Sequence, residues 1–232
     1  VKEYTTKFDH YSPPSLHLSA DFIAEHAAQC PPNVKEALEL AAERIGFFHQ
    51  KQLPQDIGYT DTAGVKLGLN WVSLSQVGIY VPGGRASYPS SVLMNALPAK
   101  IAGVERIVMA VPMPGGEINP AVLAAAQIAG VKEIYSMGGA QAIAALAYGT
   151  ISLNPVDKIV GPGNAYVAEA KRQVFGTVGI DSVAGPSEIL VVADSQNNPE
   201  WIAWDLLSQA EHDPSAQSIL ITDSASFAEK VI

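Results

Sequence analysis

The chain has 232 residues, of which 48% are hydrophobic, 16% are charged and 19 are glycine. This composition excludes a disordered chain and indicates a globular protein with a substantial core. The formal net charge of −9 argues against nucleic acid and anionic membranes as partners. The single cysteine, Cys30, excludes an internal disulfide, fits a reducing compartment and is expected to be a buried thiol. No apolar run is long enough to predict a transmembrane helix.

The first third of the chain is predicted to be mostly helical. The opening residues, VKEYTTKFDH, are predicted as the middle of a helix, and the closing residues, SFAEKVI, as part of another. Both ends are therefore expected to be cut from a longer chain, with no signal peptide. A helix is predicted at residues 19–29, capped by Ser19 and ended by Pro31-Pro32, and a second helix at 33–50. Two strand regions follow, at residues 63–72 and 77–81.

From about residue 89 onward, apolar strands alternate with single helices. Helices are predicted at residues 90–102 (kinked or ended by Pro98), 120–130, 140–148, 164–175 and from 199, and strands at 106–111, 133–137, 157–161, 188–194 and 218–223. Asn119-Pro120 is a typical helix start, with Asn as the N-cap and Pro at the first helical position. This alternation predicts an α/β protein with doubly wound parallel sheets. A looser stretch near residues 176–187 suggests two βα units.

Four glycine-rich turns are candidates for ligand binding. They are VPGGRASYP (81–89), MGGAQA (137–142), VGPGNAY (160–166) and VAGPSE (183–188). At least the middle two lie between a strand and the next helix, at the sheet edge where α/β proteins bind ligands and where helix N-termini suit phosphates. The GPGN turn is not a Rossmann fingerprint, because Tyr166 replaces the third glycine. A second interpretation is that the glycines serve only tight turns.

Several polar residues flank these turns. Tyr80, Gln141 and Asn164 could contact a ligand by stacking or through amide hydrogen bonds, or could be structural turn residues. Ser187 precedes a strand, and its alternative role is a turn or capping hydroxyl. No G-x-S-x-G elbow surrounds Ser187, so the sequence does not predict a nucleophile there.

The segment DLLSQAEHDP (205–214) places four polar residues, Asp205, Ser208, Gln209 and His212, on one helix face. The apolar residues of this helix are expected to be buried: Trp201, Ile202, Trp204, Leu206 and Leu207. Gln209 and His212, at i and i+3, could share a metal ion, or they could form a hydrogen-bonded helix end. Glutamine is an unusual zinc ligand and two ligands do not complete a zinc site. The other four histidines lack ligand-like neighbours.

Five segments closely resemble the histidinol dehydrogenase family, in the order expected there. They are YVPGG (80–84), GGAQAIAALAYGT (138–150), VDKIVGPGNAYVAEAKRQV (156–174), AGPSEILVVAD (184–194) and DLLSQAEHDP (205–214). The resemblance runs from about residue 77 to 222. It implies a zinc-dependent, NAD-linked oxidation of L-histidinol through L-histidinal to L-histidine, the end of histidine biosynthesis. It also implies a cytoplasmic, intertwined homodimer with active sites drawn from both subunits and a small-molecule substrate.

The resemblance also assigns roles to the candidate residues. Gln209 and His212 would bind zinc and substrate, and Ser187 would contact substrate. Tyr80, Gln141 and Asn164 would line an NAD site on a Rossmann-like domain that lacks the GxGxxG fingerprint. Three regions follow: residues 1–79 as a helical segment with the first strands of domain 1, 80–186 as the Rossmann-like NAD-side domain, and 187–232 as a return to domain 1 that carries the metal and substrate helix.

The family's Glu-His acid–base pair, and an Asp and a His that complete its zinc site, would lie beyond Ile232. No catalytic acid or base is therefore assigned within this span, and the chain alone is expected to be inactive and to bind zinc weakly. Two alternatives remain open at this point. One is a related dehydrogenase that acts on another small alcohol, and the other is a non-catalytic nucleotide-binding module.

Overall fold

The computed structural model describes residues 1–83, 88–183, 187–210 and 216–232. Its helices within these ranges are α1 (Lys2–Asp9), α2 (Ala20–Ala27), α3 (Pro32–Gln50), α4 (Pro89–Ile101), α5 (Pro120–Ala129), α6 (Gly139–Tyr148), α7 (Ala165–Val174), α8 (Pro199–Ala210) and α9 (Ala225–Val231). Its strands are β1 (Ile57–Thr60), β2 (Lys66–Leu69), β3 (Gln76–Tyr80), β4 (Arg106–Val111), β5 (Glu133–Ser136), β6 (Lys158–Val160), β7 (Gly179–Ile180), β8 (Glu188–Val192) and β9 (Gln217–Ile221). The chain forms two compact units, Val1–Val183 and Ala184–Ile232.

A five-stranded parallel sheet organises the first unit. Its strand order is β5-β4-β3-β6-β7. The chain enters at the central strand β3, adds β4 and β5 on one side, and then crosses over to add β6 and β7 on the other side. The direction in which successive strands are added therefore reverses between β3 and β6. α/β proteins bind ligands at such a topological switch point.

Helices cover both faces of this sheet, which confirms the predicted doubly wound, Rossmann-like architecture. Val77 and Ile79 on β3 pack into a core cluster with α2, α3, α4 and α5. Tyr80 on the same strand, with Val108 and Ala110 on β4, faces a second cluster built with α6 and α7. Successive strand residues thus alternate between two apolar layers, and this is why the strands read as continuous apolar runs.

The predicted helix ends agree with the structure where local signals are strong. The Asn119 side chain accepts a hydrogen bond from the Ala121 backbone N–H, and α5 ends at Gly130 in the left-handed conformation. Ser19 likewise caps α2. Helix α4 continues through Pro98 to Ile101. None of the helices in the described ranges is long and apolar enough to cross a membrane.

Two short elements of the first unit, β1 and β7, were not predicted from the sequence. The antiparallel hairpin of β1 and β2 has eight exposed strand residues, and only its second strand was expected. Strand β7 has two residues and lies in the stretch that was interpreted as loose. It forms because Gly179 and Ile180 pair with the open edge of β6.

The second unit is a parallel pair, β8 and β9, covered by α8 and α9. Its small core contains Ala193, Ile202, Phe227 and Val231, with Leu206 packed against it. The expectation that all apolar residues of α8 are buried is wrong for this chain, since three are exposed: Trp201 (71%), Trp204 (65%) and Leu207 (54%). The reason is that two strands and one short helix cover only one stripe of α8.

Candidate functional site

A cavity of about 1020 Å³ lies at the carboxyl edge of the five-stranded sheet. Its walls come from the ends of β3 and β4, the turns after β5 and β6, and helices α1 and α6. Tyr80, Gln141 and Asn164 all line it, so the structure brings together the three residues predicted to contact a cofactor. They belong to three different βα units and converge at the switch point between β3 and β6.

Tyr80 is the best fixed of the three. It ends β3, its side chain is buried (4% exposed), and its hydroxyl oxygen accepts a hydrogen bond of 3.0 Å from the Gly139 backbone N–H. Burial raises the pKa of Tyr80, and the negative charge of Asp9 acts in the same direction. The hydroxyl is therefore neutral at physiological pH, and its own hydrogen remains available for a ligand.

Close backbone packing explains the glycines of the cavity turns. A Cβ at Gly138 would lie 2.5 Å from the Cβ of Pro112, and one at Gly161 would lie 2.1 Å from the Tyr80 carbonyl oxygen. Gly161 also has a φ of +120°, which L side chains rarely adopt. Close packing thus requires glycine at these two positions, and the same turns border the cavity.

Asn164 and Gln141 present amide groups near helix starts. The Asn164 side-chain oxygen accepts hydrogen bonds of 3.1 Å from the backbone N–H groups of Tyr166 and Val167, and so caps α7. Its amide hydrogens remain available to a ligand. Gln141 is half-buried in the first turn of α6, with its amide beside Gly139.

An ion pair between a buried lysine and a partly exposed aspartate, which the sequence did not indicate, supports the turn that carries Asn164. The Lys171 ammonium is 3% exposed and donates hydrogen bonds to the Gly161 carbonyl (2.5 Å) and to Asp181 (2.6 Å). The other carboxylate oxygen of Asp181 accepts a hydrogen bond from the Gly161 N–H (2.8 Å). Burial raises the pKa of Asp181, but the hydrogen bonds from Lys171, Gly161 and Ser182 together hold it below its usual value.

Asp9 is a cavity residue that the sequence did not indicate. It ends α1, lines the cavity and is 9% exposed, and its Oδ2 atom has no hydrogen-bond partner within the described part of the chain. Burial raises the pKa of Asp9, although the neighbouring His10 opposes this shift. The sequence signal was an acidic residue on the buried side of a short helix, four residues after the buried Thr5.

The remaining predicted site residues belong to the second unit. Gln209 is half-buried in the last turn of α8, and Ser187 is exposed directly before β8. Asp205 and Ser208 are exposed, and the Ser208 hydroxyl donates to the Asp205 carbonyl. His212 lies outside the described residues, as do parts of the first and fourth glycine-rich turns (84–87 and 184–186).

No group of three or more His, Cys, Asp or Glu side chains that could hold a metal ion occurs within residues 1–83, 88–183, 187–210 and 216–232. Gln209 is therefore the one predicted metal ligand whose surroundings are described. A glutamine alone does not constitute a zinc site, because zinc takes three or four ligands.

Comparison with known proteins was made at the level of sequence and of structure. The sequence model of the histidinol dehydrogenase family matches residues 1–232. Histidinol dehydrogenase 1 of Nostoc sp. is 86% identical over 232 residues, which are 100% of this chain and 54% of that protein. Histidinol dehydrogenase of Rhodospirillum rubrum is 64% identical over 231 residues, or 99% of this chain and 53% of that protein.

The crystal structure of histidinol dehydrogenase from Elizabethkingia anophelis superposes with a TM-score of 0.91 at 40% identity, over 99% of this chain and 54% of that chain. A putative aldehyde dehydrogenase, PutA, from Anabaena variabilis shares the fold alone, with a TM-score of 0.53 at 16% identity over 90% of this chain and 45% of that one. The chain thus spans about half the length of the relatives it matches. The match along all 232 residues confirms the resemblance drawn from the five sequence segments, and the chain belongs to the histidinol dehydrogenase family.

Proposed function

We propose that the full-length protein oxidises L-histidinol through L-histidinal to L-histidine, the final steps of histidine biosynthesis. Each of the two oxidations would transfer a hydride to one NAD⁺, and the second would consume a water molecule. The observation that carries this proposal is the cavity at the switch point of the sheet, lined by Tyr80, Gln141 and Asn164, in a chain of this family. The protein is proposed to be cytoplasmic, in keeping with its biosynthetic role.

The cavity fits a dinucleotide in size and in the chemistry of its walls. Its volume of about 1020 Å³ lies at the upper end of the range for small-molecule sites. Gly138 and Gly139 line the cavity where α6 begins, and the N-terminus of a helix suits a phosphate. The Tyr80 hydroxyl and the amides of Gln141 and Asn164 would donate hydrogen bonds to the cofactor. NAD, when bound, supplies the hydride acceptor that side chains cannot provide.

Ser187, Gln209 and His212 are the proposed substrate residues of the second unit, and Gln209 and His212 are also the proposed zinc ligands. Their spacing of three residues suits a shared ion on a helix. Two ligands are too few for zinc, so the remaining ligands and the acid–base pair are proposed to come from the part of the full-length protein outside this chain.

A homodimer is the proposed assembly, and exposed apolar side chains of the first unit support it. Ile57, Tyr59, Leu67 and Leu69 on the β1–β2 hairpin and the nearby Trp71 are all about half exposed. Apolar surface of this extent in a soluble protein is usually covered by a partner or by more of the same chain. The molecular mass of the full-length protein in solution tests the dimer directly.

The decisive experiment compares the full-length protein with its His212→Ala variant. We expect histidinol-dependent NADH formation and bound zinc in the first, and loss of both in the second. The His49→Ala variant is the matched control, because His49 contacts Gln52 on the surface of α3 and should keep activity and zinc. A full-length protein that is inactive on histidinol but forms NADH with another small alcohol would contradict the proposed substrate.

A further inference from the structure

The Lys171 ammonium lies where three elements of the first unit meet. Lys171 belongs to α7, is 3% exposed and donates hydrogen bonds to the Gly161 carbonyl (2.5 Å), after β6, and to Asp181 (2.6 Å), after β7. Asp181 also accepts a hydrogen bond of 2.8 Å from the Gly161 backbone N–H. A lysine is rarely buried to this extent, and a buried ion pair adds little net stability compared with packed apolar side chains. A role besides stability is therefore expected for Lys171.

Lys171 holds the first residue of the turn between β6 and α7. Its side chain extends along α7 towards the helix N-terminus, as helical side chains do, and reaches the Gly161 carbonyl ten residues earlier in the chain. The last residue of the turn, Asn164, is held by the same helix, because its side-chain oxygen caps α7. Both ends of the turn are thus attached to α7.

The residues of the turn leave it little freedom to change shape. Pro162 has a fixed φ. A Cβ at Gly163 would overlap a side chain of α7, and a Cβ at Gly161 would overlap the backbone of β3. A displacement of Gly161 would therefore be passed along the turn to Asn164.

Asn164 is the residue of this turn that lines the cavity. Because its side-chain oxygen is used by the cap, its amide hydrogens are what it offers to a ligand. Lys171 and Asp181 do not line the cavity. Lys171 can therefore act on a bound molecule only through residues whose position it fixes.

We propose that Lys171, paired with Asp181, is a positioning residue for the cofactor, which fixes the turn at 161–164 and so holds the Asn164 amide where it donates to the dinucleotide. This inference rests on the proposed NAD site. Removal of the ammonium frees the Gly161 carbonyl, and the amide then has more positions to lose when the dinucleotide binds. The affinity for NADH falls for this reason, although no contact with NADH has been removed.

The test measures NADH dissociation constants and urea unfolding of the full-length protein and of its Lys171→Met and Val122→Ala variants. Val122 is 1% exposed in the core cluster on the other face of the sheet and does not line the cavity. Its variant therefore loses stability without disturbing the turn. We expect Lys171→Met to weaken NADH several-fold, as for the loss of one hydrogen bond, and Val122→Ala to keep the affinity of the unaltered protein. Unchanged NADH affinity in folded Lys171→Met would overturn the inference.

A double variant separates the position of the turn from the cost of an unpaired charge. Lys171→Met leaves the Asp181 carboxylate without its cation, whereas Lys171→Met combined with Asp181→Asn removes both charges and should recover part of the stability. The Gly161 carbonyl still lacks its donor, so the NADH affinity should stay low. The double variant also provides the measurement where the single variant does not fold. Full affinity in the double variant would show that Lys171 serves folding alone, which contradicts the inference.

The dependence on Asn164 is measured by making Lys171→Met in an Asn164→Ala background. Since Lys171 acts through that amide, its removal should weaken NADH less in this background than in the unaltered protein, as for residues that act as a unit. Additive losses would overturn the inference while leaving the proposed function intact. Absence of NADH binding by the unaltered protein would overturn both.

Discussion

At the scale of single residues, Lys171 and Asp181 hold Gly161 from both sides of its backbone. The ammonium binds the carbonyl and the carboxylate binds the N–H, so the position of one glycine is fixed by an ion pair. Gly161 in turn touches the Tyr80 backbone and begins the turn that ends at Asn164. A buried cation thus maintains the geometry of two cavity residues that it does not itself contact.

The Lys171→Met variant should lose about 2–3 kcal/mol of unfolding free energy. This is less than the 3–5 kcal/mol typical of a broken buried pair, because the Asp181 side chain is about one-third exposed and partly solvated. Arg172→Met is the matched control, since Arg172 pairs with Glu169 on the exposed face of the same helix and its loss should change the unfolding free energy little. Urea unfolding measures both, and equal losses would contradict the role assigned to Lys171.

Gly161→Ala and Gly176→Ala separate a steric clash from backbone strain. Both glycines have positive φ, +120° and +98°, but a Cβ at Gly176 meets nothing within 4 Å while one at Gly161 meets the Tyr80 carbonyl. We expect Gly176→Ala to cost about 1–2 kcal/mol from strain alone. The Gly161 variant should lose several times as much, or fail to fold. Similar urea midpoints for the two variants would refute the close packing of Gly161 on β3.

Asp9→Asn should stabilise the cofactor-free protein at neutral pH. The folded-state pKa of Asp9 is raised, so stability is lost as the pH rises through that pKa and the buried carboxylate ionises. The neutral amide avoids this loss. We therefore expect a higher melting temperature than that of the unaltered protein at pH 7–8. The gain should vanish near pH 4, and a gain of equal size at both pH values would contradict it.

At the scale of elements, α5 and α7 start in the same way and differ in what their caps face. Asn119 caps α5 and Asn164 caps α7, each by accepting backbone hydrogen bonds. Only Asn164 lines the cavity. The pair therefore allows the structural and binding contributions of an N-cap asparagine to be measured apart.

Asn119→Ala and Asn164→Ala should each lower the unfolding free energy by about 1 kcal/mol, the usual cost of losing an N-cap. NADH affinity should fall several-fold in Asn164→Ala alone, because that variant also loses the amide donor. Thermal melts and NADH titrations of both full-length variants check this. Equal NADH affinities would show that Asn164 acts only as a cap.

The sequence predicted those elements whose signals are local. Asn119-Pro120 and Gly130 define α5 within a dozen residues, so the structure agrees with the predicted bounds to within one residue. By contrast, β7 exists only because the edge of β6 is available to Gly179 and Ile180. The exposed tryptophans of α8 could not be predicted for a similar reason. The apolar character of a helix does not indicate how much of it other elements will cover.

The residues of the candidate site also divide into those with a local sequence signal and those without one. Tyr80, Gln141 and Asn164 were predictable because each flanks a glycine turn at a strand end. Asp9 could not be identified, since it reaches the cavity only by packing α1 against a turn more than a hundred residues later in the chain. Lys171 resembled an ordinary basic residue near a helix end, and its partner lies in a segment without periodicity.

At the scale of the whole molecule, the cavity residues and the proposed substrate residues fall in different units. Among the described residues, all those that line the cavity lie within Val1–Val183, whereas Ser187, Gln209 and His212 come later in the sequence. The chain also spans about half of its relatives. Binding of the cofactor and turnover of the substrate should therefore be separable.

The 232-residue chain by itself should bind NADH but neither oxidise histidinol nor retain stoichiometric zinc. The three proposed cofactor residues, Tyr80, Gln141 and Asn164, lie within it, while the proposed acid–base pair and two zinc ligands are not assigned to it. Three measurements on the chain of verified mass test this prediction. Fluorescence titration measures NADH binding, metal analysis measures retained zinc, and an NADH-formation assay measures histidinol oxidation. Histidinol turnover by this chain would refute the assignment of the acid–base pair to the rest of the protein.

The hydrogen bond between Tyr80 and Gly139 has a consequence for the kinetics of cofactor binding. It joins the end of β3 to the start of α6, two strands away, before any ligand is present. The conformational entropy of the turn at 138–139 is thus lost when the chain folds and not when the cofactor arrives. A dinucleotide that binds against this turn would not have to wait for the turn to become ordered. Dinucleotides of different affinity should therefore differ more in their dissociation rate than in their association rate.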